Sequence, residues 1–182
     1  MNRIKENPHK QALALDQQAL QAAREGMEQG AITPAYGPWR EAVVQLLNQA
    51  LATELVCVLR YRRHHFTAAG MDAVSIADEF LVHANQELAH ADRLAERIVQ
   101  LGGEPDFNPA ALLPQAHADY DDSLELTAMI EANLAAERVA VEAYRQMIER
   151  VADKDPTTRR LLESILAEEE QHADELSDWL NR

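Results

Sequence analysis

The sequence contains a single cysteine, Cys57, among 182 residues. One cysteine excludes an intrachain disulfide and any CxxC metal-binding pair within this chain. Proteins without a disulfide framework are typical of reducing compartments. Cysteine usage therefore predicts a cytoplasmic protein.

Basic residues are also scarce, with 17 Lys and Arg against 31 Asp and Glu, so the formal net charge is −14 at pH 7. A surface this acidic repels nucleic acid and anionic lipid, whereas it attracts cations. The opening stretch MNRIKENPHK has no apolar run for export or membrane insertion. We expect no membrane partner, and the charge disfavours DNA as a partner.

Alternation of apolar and polar residues with period two is absent over any useful length, which argues against a β-sheet. Apolar residues instead recur every three to four positions over four ranges, the pattern of amphipathic helices. These ranges are 39–66, 73–101, 123–152 and 157–180. A long, proline-containing connection separates the second from the third, so we predict an all-α four-helix bundle with one long crossover.

Residues 1–37 differ from the rest of the chain. A helix-prone run, QALALDQQALQAAREGMEQG, is followed by AITPAYGP, whose prolines and glycine interrupt regular structure. The remaining length and 47% hydrophobic content suit one core. We therefore predict an N-terminal helical arm at 1–37 and a bundle domain at 38–182.

Two stretches share the pattern Glu-x-x-His-Ala-Asp, namely ELAHADRL at 87–94 and EEQHADEL at 169–176. More generally, each predicted bundle helix carries one glutamate in its apolar stripe, and a buried carboxylate needs a compensating cation. Each motif histidine shares a helix face with its glutamate. The resulting set of carboxylates and imidazoles suits two divalent first-row metal ions: Glu54, Glu87, His90, Glu137, Glu169 and His172.

The two halves of the chain repeat this arrangement. Glu54 precedes Glu87 by 33 residues, and Glu137 precedes Glu169 by 32. Tyr61 follows Glu54 by seven residues, as Tyr144 follows Glu137. A single Glu-x-x-His is common on solvated helix faces, but two copies with matched upstream residues make coincidence a poor explanation.

Other candidate residues carry weaker signals. Tyr61 and Tyr144 fit either core packing or a hydrogen bond to a metal ligand. We expect Cys57 to be a small, buried apolar residue of the core. For His83 and His64 an exposed position is the preferred interpretation, with an accessory or access-route ligand as the alternative.

The stretches LLNQALATELVCVLRY, QELAHADRLAERIVQLGGEPDFNP and LLESILAEEEQHADELSDWL resemble the ferritin-like superfamily. The resemblance covers residues 39–180 and points to bacterioferritins and Dps-like proteins with a bacterioferritin-type diiron centre. It implies that the six glutamates and histidines bind two iron ions, with Glu87 and Glu169 bridging and Glu54 and Glu137 terminal. Manganese or zinc would be possible substitutes. The implied activity is that of a ferroxidase, which oxidises Fe(II) with O2 or H2O2 in iron storage and protection against oxidative stress.

Departures from the family pattern refine these expectations. Bacterioferritins ligate haem through a methionine directly after the glutamate of the first Glu-x-x-His, whereas this sequence has Leu88 there, so we expect no haem of that type. The chain ends ten residues after His172, without the short fifth helix of 24-subunit shells. We therefore predict a homo-oligomer, with a dodecamer favoured over a dimer.

The same ligands also occur in enzymes that act on substrates. Manganese catalases, rubrerythrin-type peroxidases and oxygenases are alternatives, although one cysteine argues against the cysteine-rich module of many rubrerythrins. A third possibility is a scaffold bundle that binds structural metal, which would be stabilised by metal without oxidising iron.

Overall fold

A computed structural model describes residues 14–70 and 73–181, and these residues contain six α-helices. They are α1 (Gln17–Ala22), α2 (Trp39–Thr67), α3 (Ala73–Gln100), α4 (Pro109–Gln115), α5 (Leu126–Val151) and α6 (Pro156–Leu180). No strand occurs among the described residues. The predicted all-α fold is confirmed, and the long helices α2, α3, α5 and α6 form the bundle.

Cross-helix contacts give the directions of the bundle helices. Arg60 and Tyr61 of α2 contact Asn133 and Glu137 of α5, while Glu54 of α2 contacts Tyr144 further along α5. The partner number rises as the α2 number falls, so the two helices are antiparallel. Helices α3 and α6 are also antiparallel, because His83 contacts Glu175 whereas Arg97 contacts Asp155.

The crossover between α3 and α5 runs along α2. Asn48 donates to the carbonyl of Glu104, and Arg60 further along α2 donates to the carbonyl of Asp119. Its path carries the chain from one end of α2 to the other, which lets α5 start beside the end of α2.

Helix α4 within the crossover was not predicted. Asn108 caps it by accepting from the Ala110 N–H, and Pro109 occupies its first turn, where a missing N–H is harmless. Leu112 packs on Ala52 and Val56 of α2. One turn of apolar residues between prolines gives too little periodicity to distinguish a short helix from a loop.

Helix ends differ slightly from the predicted ranges. Helix α5 begins at Leu126 rather than near residue 123, because the Glu125 side chain caps it by accepting from the Ala128 N–H. In the arm, α1 covers only six residues, with Asp16 as its cap. The predicted arm helix also reached into residues 11–13, which lie outside the described part of the chain.

Helix α2 supplies much of the core. By length and composition it could cross a membrane, but 56% of its most apolar 18-residue window is buried inside the bundle. Leu47 and Leu51 are at most 1% exposed and pack with Leu94, Ile98 and residues of α5 and α6. We therefore interpret α2 as the core helix of the bundle.

Candidate metal centre

The six predicted ligands meet in the middle of the bundle, and each is at most 1% exposed. Glu54 comes from α2 and Glu137 from α5, while α3 and α6 each contribute a glutamate and a histidine three residues apart. Their positions within the apolar stripes direct all of them inward. The structure thus brings together side chains that are up to 118 residues apart in sequence, from Glu54 to His172.

Their ligand atoms form two overlapping groups, each with all atoms within 4.8 Å of one another. One group contains Glu54, Glu87, His90 and Glu169, and the other contains Glu87, Glu137, Glu169 and His172. Glu87 and Glu169 belong to both. A carboxylate with two oxygens can bridge two neighbouring cations, so this overlap fits a pair of metal ions.

Both imidazoles direct Nδ1 toward the carboxylates. His90 Nδ1 lies 2.9 Å from Glu169 Oε1, and His172 Nδ1 lies 3.2 Å from Glu87 Oε1. On the outer side, His90 Nε2 lies 3.1 Å from Glu168 Oε2, and His172 Nε2 lies 3.1 Å from Gln86 Oε1. An Nε2–H donated to these oxygens leaves the Nδ1 lone pair free to bind a cation.

Two further side chains, Gln86 and Glu168, contact the imidazoles and were not predicted from the sequence. Each directly precedes the motif glutamate of one half and contacts the histidine of the other half. Their matched positions, one residue before Glu87 and Glu169, were the available signal. A polar residue beside a motif is too common for that signal to be recognised without the antiparallel pairing of α3 and α6.

Both predicted tyrosines contact the centre. The Tyr61 hydroxyl donates to Glu137 Oε1, and the Tyr144 hydroxyl donates to Glu54 Oε1. Each tyrosine therefore holds the lone glutamate of the opposite half of the chain. Burial, reinforced by the neighbouring carboxylates, raises the pKa of both tyrosines well above its ordinary value, so both remain protonated donors at neutral pH.

Electrostatics of the metal-free site show a shortage of positive charge. Burial and the nearby Glu87 raise the pKa of Glu54 well above its ordinary range, and burial with Glu87 does the same for Glu169. Burial would lower the pKa of the imidazoles, but hydrogen bonds to carboxylates outweigh it and raise the pKa of His90 to about 11 and of His172 to about 10. Without a metal, the site holds protons to offset its carboxylates.

The donor set fits two divalent cations. Four carboxylates carry the charge that two such ions neutralise, and the mixed oxygen and nitrogen donors suit first-row metals. Glu87 Oε1, Glu137 Oε2, Glu169 Oε1 and His172 Nδ1 are buried and have no hydrogen bond of acceptable geometry, although some lie close together. Buried polar atoms of this kind are costly unless a partner satisfies them. A cation between them would do so.

The expectation that His83 and His64 are exposed was wrong, since both are fully buried. His64 is held away from the centre, with Nδ1 2.9 Å from Asn133 Nδ2 and Nε2 3.2 Å from Asp121 Oδ1. His83 instead stacks on His172, with ring centroids 4.2 Å apart. Helical position alone did not reveal that α5, α6 and the crossover cover these faces.

Cys57 is buried, as predicted, but its neighbour Arg60 was not foreseen. The fully buried Arg60 guanidinium donates to Asn133 Oδ1, to the Asp119 carbonyl and to Cys57 Sγ. These bonds join α2, α5 and the crossover. Burial also raises the pKa of the Cys57 thiol, so the thiol remains neutral.

The family model of the ferritin-like domain matches residues 44–182. The chain belongs to the ferritin-like family. The predicted family is thereby confirmed, and its domain covers the whole metal centre and most of the bundle.

Individual relatives agree with this family. A nutrient stress-induced DNA-binding protein from Synechococcus sp. is 34% identical over 74% of this chain and 78% of its own length. Among solved structures, the bacterioferritin-related dodecameric thioferritin from Bacteroides fragilis is 30% identical with a TM-score of 0.75, covering 78% of this chain and 86% of that one. The Desulfovibrio desulfuricans bacterioferritin, described with its diiron site in different catalytic states, is 29% identical with a TM-score of 0.69, covering 78% and 80%.

Proposed function

We propose that this ferritin-like chain is a ferroxidase that oxidises Fe(II) with O2 or H2O2 at the buried centre, in the service of iron storage and detoxification. The observation that supports this proposal most directly is the pair of overlapping ligand groups, which share Glu87 and Glu169. The diiron site of the similar bacterioferritin supports iron as the metal.

In this proposal the roles of the ligands follow their placement. Glu87 and Glu169, which belong to both ligand groups, would bind both Fe(II) ions, while Glu54 with His90 and Glu137 with His172 would each bind one of them. Tyr61 and Tyr144 fix the terminal carboxylates by donating to them. Glu168 and Gln86 orient the imidazoles from outside.

Two neighbouring Fe(II) ions can together supply the two electrons that reduce O2 or H2O2 in one step. Each Fe(II) loses one electron, so the pair reduces O2 with two protons to H2O2, or reduces H2O2 to two hydroxide ions. A two-electron step avoids one-electron oxygen radicals. The buried setting excludes bulk water from the reacting oxygens, and the acidic surface concentrates Fe(II) near the protein.

We further propose a homo-oligomeric shell of twelve subunits, the assembly of the dodecameric thioferritin from Bacteroides fragilis. A relative named as DNA-binding raises DNA as a partner. The net charge of −14 opposes contact with a polyanion, so the expectation that DNA is disfavoured as a partner stays a prediction. Leu88 stands where bacterioferritins have their haem-ligating methionine, so the expectation of no haem of that type also stays a prediction.

Glu169→Gln tests the ferroxidase proposal, because it preserves the shape of a bridging ligand while removing its charge. Loss of a partner outside the ligands typically costs about 10–100-fold in metal affinity or activity, so loss of a bridge should slow Fe(II) oxidation by about a hundredfold or more. Glu170→Gln, at the exposed neighbouring position, is the control. A wild-type rate of Fe(II) oxidation in the Glu169→Gln variant would overturn the proposal. Disproportionation of peroxide by the manganese-loaded wild-type protein would favour a catalase instead.

A further inference from the structure

A second group of metal-ligating side chains lies beside the centre, at the surface between α3 and α6. Glu79, His83 and Glu175 place one ligand atom each within 4.8 Å of one another. His83 Nε2 lies 2.9 Å from Glu175 Oε2 and 3.6 Å from Glu79 Oε1. The two carboxylate side chains are 36% and 31% exposed, whereas His83 is fully buried. The group is therefore open to solvent on its carboxylate side and closed on its imidazole side.

His83 also belongs to a buried group with Glu137 and His172, two of the six residues of the centre. Its ring stacks on that of His172 at 4.2 Å with an interplanar angle of 22°. Its Nδ1 lies 3.2 Å from the Tyr61 hydroxyl, which itself donates to Glu137. One imidazole thus contacts the surface carboxylates with Nε2 and the buried centre with Nδ1.

The hydrogen bonds determine which ring nitrogen faces the surface as an acceptor. Because the Tyr61 hydroxyl gives its proton to Glu137, its oxygen accepts from His83 Nδ1–H. The Nε2 lone pair of this tautomer then points at two carboxylates, which are also acceptors. The Nε2 atom and the carboxylate oxygens of Glu79 and Glu175 thus converge on one point at the surface, within 4.8 Å of one another, where a cation can bind to all three.

The group is absent from the corresponding place in the other half of the chain. The offset of 82 residues that relates Glu87 to Glu169 relates Glu79 to Leu161 and His83 to Ile165. The counterpart of Glu175 is Arg93, which pairs with Glu168 at 2.8 Å. Repetition of the bundle therefore does not account for Glu79, His83 and Glu175, which distinguish one side of an otherwise matched centre.

We propose that Glu79, His83 and Glu175 bind a third divalent first-row metal ion and that this site exchanges Fe(II) with the buried pair through His83. Two carboxylate oxygens and one imidazole nitrogen suit such an ion, and the exposed side leaves room for water ligands. The binding site stands on its own geometry, whereas the exchange of Fe(II) rests on the proposed ferroxidase function. Since the ion keeps water ligands, the site is weaker than the buried pair.

Binding is tested with Co(II), a redox-stable probe, by equilibrium dialysis of the full chain and metal analysis. Wild type should bind three Co(II) ions per chain, the third more weakly, and Glu79→Gln/Glu175→Gln should bind two. Asp78→Asn/Asp178→Asn changes the net charge equally at exposed positions on the same helices and should still bind three. Two ions in all three proteins, or three in all, would overturn the surface site. A single ion in wild type that disappears in Glu79→Gln/Glu175→Gln would support the surface site while contradicting the buried pair.

Exchange with the buried pair is tested by stopped-flow oxidation of Fe(II). Glu79→Gln/Glu175→Gln should lower the initial rate by about tenfold, as expected when charges that concentrate a cation are removed, while the amount of iron oxidised in the fast phase stays the same. The charge-matched control should keep the wild-type rate. Equal rates in all three proteins would overturn the exchange route, even where the third Co(II) ion is lost.

Discussion

At the residue scale, the buried polar atoms of the six central side chains either have a partner in the protein or face the middle of the site. The imidazoles and the terminal glutamates are held from outside by Glu168, Gln86, Tyr144 and Tyr61. The remaining atoms meet at the centre, where protons compensate their charge until metal arrives. Metal binding must therefore release protons, and affinity should fall as pH falls.

The tyrosine contacts lead to a first prediction. Tyr61→Phe and Tyr144→Phe each remove a donor to a terminal carboxylate, and together they should slow Fe(II) oxidation by about tenfold or more, as loss of partners of metal ligands does. Tyr36→Phe, which alters a ring packed on Trp39, is the control. Stopped-flow ferric absorbance gives the rates, and unchanged kinetics in the double variant would remove this role.

The sequence indicated the six side chains that meet in the middle of the bundle, but not the residues that hold them from outside. Glutamates on apolar stripes are conspicuous because burial of a carboxylate is costly. Gln86, Glu168 and Arg60 are ordinary polar residues on helix faces, and their roles depend on which helix lies opposite. The same reason explains the incorrect expectation that His83 and His64 are exposed.

At the element scale, the buried ion pair between Arg97 and Asp155 joins the last turns of α3 to the start of α6. Arg97 Nη2 lies 2.9 Å from both carboxylate oxygens, and Asp155 also caps α6 by accepting from the Thr158 N–H. Burial alone would raise the pKa of Asp155. Hydrogen bonds from Thr158 and Arg97 outweigh burial and hold this pKa below its ordinary value.

Asp155→Asn should lower the free energy of unfolding by about 3–5 kcal/mol, because it leaves the Arg97 charge buried and unpaired. Since the folded-state pKa of Asp155 is depressed, its contribution is present above the ordinary carboxyl pKa and is lost as pH falls through the folded value. Urea unfolding of the metal-free protein between pH 7 and acid pH should therefore show a shallower acid dependence in the variant. Asp153→Asn, at a fully exposed side chain, should behave as wild type, and wild-type stability of Asp155→Asn would contradict this role of the ion pair.

The end of α5 supplies a stabilising prediction. Ala152 has φ 45° and ψ −126°, a backbone conformation that favours glycine. Ala152→Gly should raise the free energy of unfolding by about 1 kcal/mol, because relief of strain exceeds the added entropy of the unfolded chain. Ala167→Gly, at an exposed position inside α6, should lower it by about 1 kcal/mol. Equal losses in both variants by chemical unfolding would show that Ala152 is unstrained.

Helices with strong periodicity were predictable, and their ends and short connections were less so. The four bundle helices were predicted to within a few residues because a 3.6-residue apolar period persists through each. Helix α4 and the start of α5 depend on capping by Asn108 and Glu125. Such caps occupy single positions and leave no periodic signal.

At the scale of the whole molecule, two helix pairs related by an approximate internal repeat enclose one centre. The tyrosine of each half donates a hydrogen bond to the lone glutamate of the other half, Tyr61 to Glu137 and Tyr144 to Glu54. Neither pair alone supplies a complete ligand group. Formation of the metal centre and packing of the bundle are therefore coupled, and divalent metal should raise the stability of the folded state.

The most direct test of the central claim is anaerobic titration of the metal-free protein with Fe(II), followed by O2 or H2O2, with ferric absorbance and molar mass by light scattering. We expect that two Fe(II) ions per chain are oxidised in the fast phase, that later additions are also oxidised, and that the particle contains about twelve chains. Binding without oxidation would contradict the ferroxidase function and indicate a structural metal site. Oxidation that stops after the first two ions in a small oligomer would contradict iron storage and point to a dimetal enzyme acting on another substrate.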